Sequence, residues 1–404
     1  MQIKLNLEKI DLYKLLFSTF FVTLTIGYVA YYFFSGSFQD SSTVPAGKII
    51  GGDFEIIARE GHNFLMGLPF VGTGHPPLEN ILLGLFKLFF GSKYAYFIFI
   101  IFSLLCFLAS IFIANRITSA KSSFHLISFL PFIFVYPILF NLERGNTDSI
   151  SLLFIVLFIF FSQKKNIFLA STSMFIAYNL KIYPIVFLPI FLIHFGVLRT
   201  CALAFIIQFG LMTSGIEGLI EMIKSIGKLA SNPYIWDGNH SAISFAKKYF
   251  PNKINEVANL IIVGLTISLI GITLDQFFYR RRPSHQNTSA GERKDPLSIQ
   301  IKSLIGLMFI SCSLIPGTSH DYRLLIQVAP WLLILSNSIQ ISEKFNPPGW
   351  LQNLDKICFF GITIATSSLF FPRNFFLDKT ALLLVMAGCY LTIYLSQIFQ
   401  RRPQ

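Results

Sequence analysis

Long apolar stretches follow one another along nearly the whole chain, and the short gaps between them alternate in character. Every second gap carries Lys or Arg: Arg116 with Lys121, Lys164 with Lys165, Arg199, Arg280 to Arg282, and Lys344 with Lys356. The intervening gaps hold acids, histidines, Gly and Pro: GGDF at 51–54, HPPLEN at 75–80, ERGNTD at 143–148, NLKIYP at 179–184, GNHS at 238–241 and PGTSHDYR at 316–323. Threaded through a bilayer, such a chain puts the basic gaps on one side and all six polar motifs on the other. One face then holds every group capable of chemistry.

Composition supports a membrane solvent. Only 13% of residues are charged and mean hydropathy is +0.63, against about 25% charged in soluble domains. The apolar runs lack the alternation of a barrel strand, so they read as helices. The 46 Phe suit a lipid-facing or bundle surface. Net charge is +12, but the basic residues occupy gaps of one parity. Positive-inside orientation explains that, and nucleic acid is not an expected partner. The five cysteines lie singly in apolar segments, without metal-ligand spacing, and read as small core residues. Lys4, Lys9 and Lys14 precede a run too long for a signal-peptide core, which reads as a retained first span.

The expected fold is an all-α, polytopic membrane bundle of about twelve transmembrane helices, with external surface helices in the first loop, forming one domain over 1–404. Spans fall near 13–34, 93–115, 124–142, 147–162, 167–180, 184–196, 198–213, 257–278, 299–315, 324–340, 356–371 and 378–398. The stretch 184–213 could be one kinked helix. Two spans keep the arginines at 280–282 and 401–402 on the basic side, so two are preferred. Both termini are then cytoplasmic, 35–92 and 214–256 are external loops, and 279–298 is a cytoplasmic basic linker. Segment 78–90 is too short to cross. It reads as a helix at the membrane surface or partly immersed, entered through Pro76 and Pro77, with Glu79, Asn80 and Lys87 as its polar residues.

Each candidate residue has a plain structural alternative. Asp53, after two glycines, is either a helix cap or a general base toward a hydroxyl. His75 is structural or, sharing a loop with Asp53, functional. In Glu143-Arg144-Gly145-Asn146-Thr147-Asp148, Asn146 or Thr147 could cap the next span and Asp148 suits its positive end, while Glu143 and Arg144 could simply pair. Lys181 either snorkels to the interface or binds an anionic phosphate. In the latter role its charge, at a helix end, could be removed without unfolding the protein. His320, Asp321, Tyr322 and Arg323 form the densest polar cluster, either an Asp321–Arg323 pair or part of a cavity lining. Asn239, with Glu143, Arg144, Asn146, Asp148, Asp321 and Tyr322, is a candidate for holding acceptor or sugar.

These motifs resemble the GT-C superfamily of integral-membrane glycosyltransferases. GGDF and the HPPL turn resemble its first external loop, where a carboxylate is typically catalytic. ERGNTDSISLL, NLKIYPIVFLP and PGTSHDYRLLIQVAPWLL resemble three segments of glycosyltransferase family 87, which includes polyprenyl-phosphate-mannose-dependent mannosyltransferases. In that family the late His stands immediately before the Tyr. Here Asp321 does, with His320 one position earlier.

The resemblance implies an inverting hexosyltransferase in the cell (inner) membrane, its site facing the periplasm or exterior. A hexose, mannose by family, would move from a polyprenyl-phosphate donor to a lipid or glycan hydroxyl. Asp53 would be catalytic, and Lys181, Arg323, His320 and His75 would hold the donor phosphate. No cofactor or metal is expected, and the other partners are membrane lipids. The competing class is a transporter or lipid flippase, which predicts internal repeats and charges spread through the membrane thickness. Here the charges gather at one face.

Overall fold

A computed structural model describes residues 51–70, 74–117, 136–231, 239–280, 298–316, 321–335, 349–369 and 378–400. The expected span 13–34, the start of the first loop, nearly all of the basic linker and His320 lie outside them. The helices are α1 (Gly52–Leu65), α2 (Pro77–Ile117), α3 (Tyr136–Arg144), α4 (Asp148–Gln163) and α5 (Ile167–Leu180). A 3-10 turn at Tyr183–Phe187 leads into α6 (Leu188–Phe195) and then α7 (Val197–Leu211). After a second such turn, Met212–Ser214, come α8 (Gly215–Ser231), α9 (Ala242–Tyr249), α10 (Ile254–Arg280) and α11 (Ile299–Leu314). A third 3-10 stretch, Asp321–Gln327, precedes α12 (Val328–Leu335), α13 (Gly349–Leu369) and α14 (Lys379–Gln400). No strand occurs among the described residues, so the all-α polytopic class holds.

Four helical stretches are long and apolar enough to cross a membrane: Pro77–Ala114, Val197–Gly227, Ile254–Arg280 and Lys379–Phe399. The pair α3 and α4, bent by 117° at their junction, meets the same criterion together. Ile167–Leu180, Tyr183–Phe195, Ile299–Leu314 and Arg323–Leu333 are apolar but shorter. The helix order of the sequence reading is therefore present, whereas its count of about twelve full crossings is not established. The cause is local. Pro184, Pro189 and the left-handed Gly145 and Gly196 interrupt the ladder, and helices packed inside a bundle can be broken because neighbours satisfy the freed backbone groups.

In the first loop, segment 78–90 forms a short helix of its own, as expected: within the stretch labelled α2, the non-helical Gly91, whose φ of 66° and ψ of 160° no L-residue adopts readily, separates it by a kink from the following span. Two of its polar residues, Glu79 and Asn80, are fully buried. The first part of α2 packs on α1 at a close crossing, where a methyl group on Gly61 would run into the Asn80 carbonyl and one on Gly84 into the Gly61 backbone. Gly61→Ala or Gly84→Ala should therefore lower stability by about 1–3 kcal/mol, the usual cost of overpacking, measurable as an earlier unfolding midpoint in detergent.

α11 is the centre of the bundle. All of its residues are buried, the pattern of a helix enclosed on every side. Three contacts among the described residues join gaps of like parity. Lys248 Nζ and Tyr249 Oη reach Asp378 at 3.3 and 2.9 Å, and Asp355 accepts from Ser396 and Gln397 at 2.5 and 3.2 Å. Lys165 Nζ donates to the His194 carbonyl at 3.1 Å. The cysteines are less uniform than expected: Cys201 is exposed and Cys389 is half-buried.

Candidate active site

The turn at 143–148 organises the site. Gly145, at φ 68°, reverses the chain between α3 and α4, and a side chain there would strike Phe54. Tyr96 lies beside Gly51 and Gly145 and donates to the carbonyls of Leu142 and Glu143, both at 2.9 Å. The Gly51 N–H donates to the Glu143 carbonyl at 2.6 Å. GGDF and ERGNTD are thus fastened together through backbone.

Asp53 is not the helix cap. That place belongs to Gly51, and Asp53 sits in the first turn of α1. Its two carboxylate oxygens meet the fork of Arg144: Nε donates to Oδ2 at 3.1 Å and Nη2 contacts Oδ1. Arg144 therefore has Asp53 as a partner across the site, beyond any pairing with neighbouring Glu143. Both side chains are largely buried. A carboxylate oxygen has a second lone pair beyond the one given to Arg144, so Asp53 can still accept a hydroxyl proton while its plane is fixed.

Glu79 lies at the heart of a second cluster. It is fully buried, with Oε1 2.7 Å from Lys181 Nζ and Oε2 2.9 Å from His75 Nδ1. Thr147 Oγ1 donates to Oε1 as well. Because an ionised carboxylate can only accept, His75 Nδ1 carries the proton. Lys181 does not snorkel. It is buried, and one of its three N–H bonds goes to Glu79, which leaves two for an anion.

Asp148 forms the third cluster. It begins α4 after Thr147, whose hydroxyl serves Glu79 instead of capping the helix. Asn146 Oδ1 accepts from the Asp148 N–H at 3.3 Å. Asp148 Oδ1 accepts from Tyr183 Oη at 2.7 Å and lies 4.0 Å from Arg323 Nε. Its Oδ2 is buried and has no partner among the described residues. The Arg323 guanidinium stands over the Tyr183 ring, 5.0 Å from its centre. Asp321 and Tyr322 belong to the same 3-10 stretch as Arg323, but their side chains are outside the description.

Five of the six polar motifs are thus brought together around one turn: GGDF, HPPLEN, ERGNTD, NLKIYP and the end of PGTSHDYR. The sixth is not joined by these pairs. Asn239 is buried and accepts from the Ser241 N–H at 3.2 Å within its own turn. From sequence, Glu79 is a polar residue of segment 78–90 and not a candidate for the site. Its signal was its place four residues after His75, one helical turn along the same face. Among the described residues no group of three His, Cys, Asp or Glu side chains could hold a metal ion.

The description of glycosyltransferase family 87 matches residues 74–284. The match contains the Glu79 and Asp148 carboxylates and Lys181, while Asp53 precedes it and Arg323 follows it. No curated protein and no solved structure matches the chain. With just over half its length matched and the motifs of that stretch gathered at one buried turn, the chain belongs to glycosyltransferase family 87, and it is a membrane glycosyltransferase.

Proposed function

We propose that this enzyme moves a hexose, mannose by family, from a polyprenyl-phosphate donor to a lipid or glycan hydroxyl on the non-cytoplasmic face, with inversion. The observation that carries this reading is the convergence of three carboxylate–cation pairs, Asp53–Arg144, Glu79–Lys181 and Asp148–Arg323, on one turn. Asp53 takes the proton of the acceptor hydroxyl as its oxygen bonds to the anomeric carbon. The bond from that carbon to the phosphate oxygen breaks, and the polyprenyl phosphate leaves with the electron pair. The two remaining N–H bonds of Lys181 and the positive charge of the Arg323 guanidinium, with His75 and His320 assisting, stabilise the leaving charge. Glu143, Arg144, Asn146, Asp148, Asn239, Asp321 and Tyr322 remain candidates for holding sugar or acceptor. Purified protein in lipid, supplied with a synthetic polyprenyl-phosphate sugar, should transfer it. The polyprenyl-phosphate sugar that accumulates in membranes after gene deletion identifies the donor.

The chain is read as one integral domain of the cell membrane with both termini cytoplasmic. Helix α4 supports this. Its start carries Asp148 and its end Lys164 and Lys165, about 24 Å apart at 1.5 Å per residue, which sets the site and this basic gap at opposite ends of one helix. Single cysteines replacing Ser42 and Ser289 should label from opposite sides of sealed vesicles. Labelling of both from one side would overturn the threading.

A further inference from the structure

At the end of α4 remote from the site, three cationic or protonatable side chains from separate parts of the chain are gathered: Lys165 Nζ donates to the His194 carbonyl at 3.1 Å, and α10, which ends in Arg280, packs against α6. Lys165 follows α4, His194 lies in the last turn of α6, and Arg280 ends α10. Arg280 acts electrostatically on both of the others, and no carboxylate of the described residues is among the charges that shift them. Both ring nitrogens of His194 are buried and without a hydrogen-bond partner among the described residues.

Lys165 has a further peculiarity. Its φ of 57° makes it the one non-glycine residue with positive φ among the described residues. The Lys165 and Asn166 N–H groups close the end of α4 on the carbonyls of Ser162 and Phe161 at 3.1 and 3.0 Å. Glycine is the usual occupant of that position. A lysine tolerated there gains reach, since its ammonium arrives at the end of α6. Partial burial and then the Arg280 charge push that ammonium below its ordinary pKa, the condition of a cation that an arriving anion would stabilise.

We infer that Lys165, His194 and Arg280 form a site for the phosphodiester of an anionic phospholipid in the leaflet opposite the catalytic face. The lipid source is favoured over a free anion by what flanks the three groups. Phe168, Leu198 and Phe278, each within four residues of one of them, are strongly exposed and apolar, a surface for acyl chains below a held headgroup. A basic pocket between membrane helices is the expected form of such a site. The inference does not depend on the transfer reaction.

The test uses the full chain, delipidated in neutral detergent, with thermal unfolding followed as lipid is added. Dioctanoyl phosphatidylglycerol should raise the midpoint saturably, whereas dioctanoyl phosphatidylcholine and inorganic phosphate should not. Lys165→Gly relaxes the backbone, so without lipid it should unfold no earlier than wild type. It should nevertheless bind phosphatidylglycerol about fivefold more weakly, and the pair with Arg280→Gln about 25-fold more weakly. An equal response to phosphatidylcholine would mean a generic lipid effect. An equal response to inorganic phosphate would mean a free-anion site. Unchanged phosphatidylglycerol affinity in both Lys165→Gly and Arg280→Gln would reduce the basic cluster to an orientation signal. Each of these three results overturns the inference.

Discussion

Asp53→Asn is expected to lower sugar transfer by roughly two to four orders of magnitude, the usual span for a lost general base, with little change in folding. Asn keeps the size of the side chain and can still accept from Arg144 through one oxygen, so α1 stays fastened to the 143–148 turn by that bond, by the Gly51–Glu143 backbone bond and by Tyr96. Asp53→Glu should also be poor, because one methylene more misplaces the carboxylate against a fixed Arg144 fork. The measurement is transfer from a synthetic polyprenyl-phosphate donor by purified protein in lipid. A near wild-type rate for Asp53→Asn would leave Asp53 as an anchor for Arg144. The search for a base would then turn to Asp148, whose Oδ2 is unpartnered among the described residues, and to Glu143 and Asp321.

Lys181→Met should cost about 3 kcal/mol of stability, toward the lower end of the range for breaking a buried ion pair, because His75 and Thr147 still reach Glu79. The sequence alone suggested that this charge, at a helix end, could be removed with the protein still folded; the buried Glu79 beside it adds a cost in stability. A carboxylate with no exposed surface stands 2.7 Å away, and its desolvation is offset chiefly by that ammonium. The companion Glu79→Gln/Lys181→Met removes both charges and should recover most of the loss, while transfer stays low because the donor phosphate has lost a cation. Unfolding midpoints of the single and double variants in one detergent give the comparison. Equal midpoints for Lys181→Met and wild type would show that Glu79 does not need its lysine.

Much of the helical layout could be read in advance because polar residues end apolar runs sharply. Spans expected at 147–162, 167–180 and 299–315 appear as Asp148–Gln163, Ile167–Leu180 and Ile299–Leu314. The membership of the site was legible for the same reason: its residues stand out against their apolar neighbours. Their partners were not. Asp53 was weighed as a cap and Lys181 as a snorkelling cation, since local sequence offers each a local use, whereas Arg144 and Glu79 are far away in the chain. Glu79 was missed because a single acid on an apolar helix reads as its wet face. Only the close crossing at Gly61 and Gly84, which draws α1 onto α2, shows that no water reaches it. The count of crossings was obscured by breaks, which leave several helices shorter than the membrane is thick.

The cation nearest Asp148 comes from a late part of the chain. Asp148 and Tyr183 lie on elements made early, while Arg323 arrives on the 3-10 stretch that follows α11. During synthesis, Asp148 therefore waits with a phenol as its only described donor until nearly four-fifths of the protein has been inserted. If Arg323 holds the donor as proposed, the site is unfinished before α11 has entered the middle of the bundle, so competence arrives late and all at once. On that reading, a nascent chain anchored in the membrane can hold its earlier helices in place for some time without presenting a half-built catalyst to its substrates.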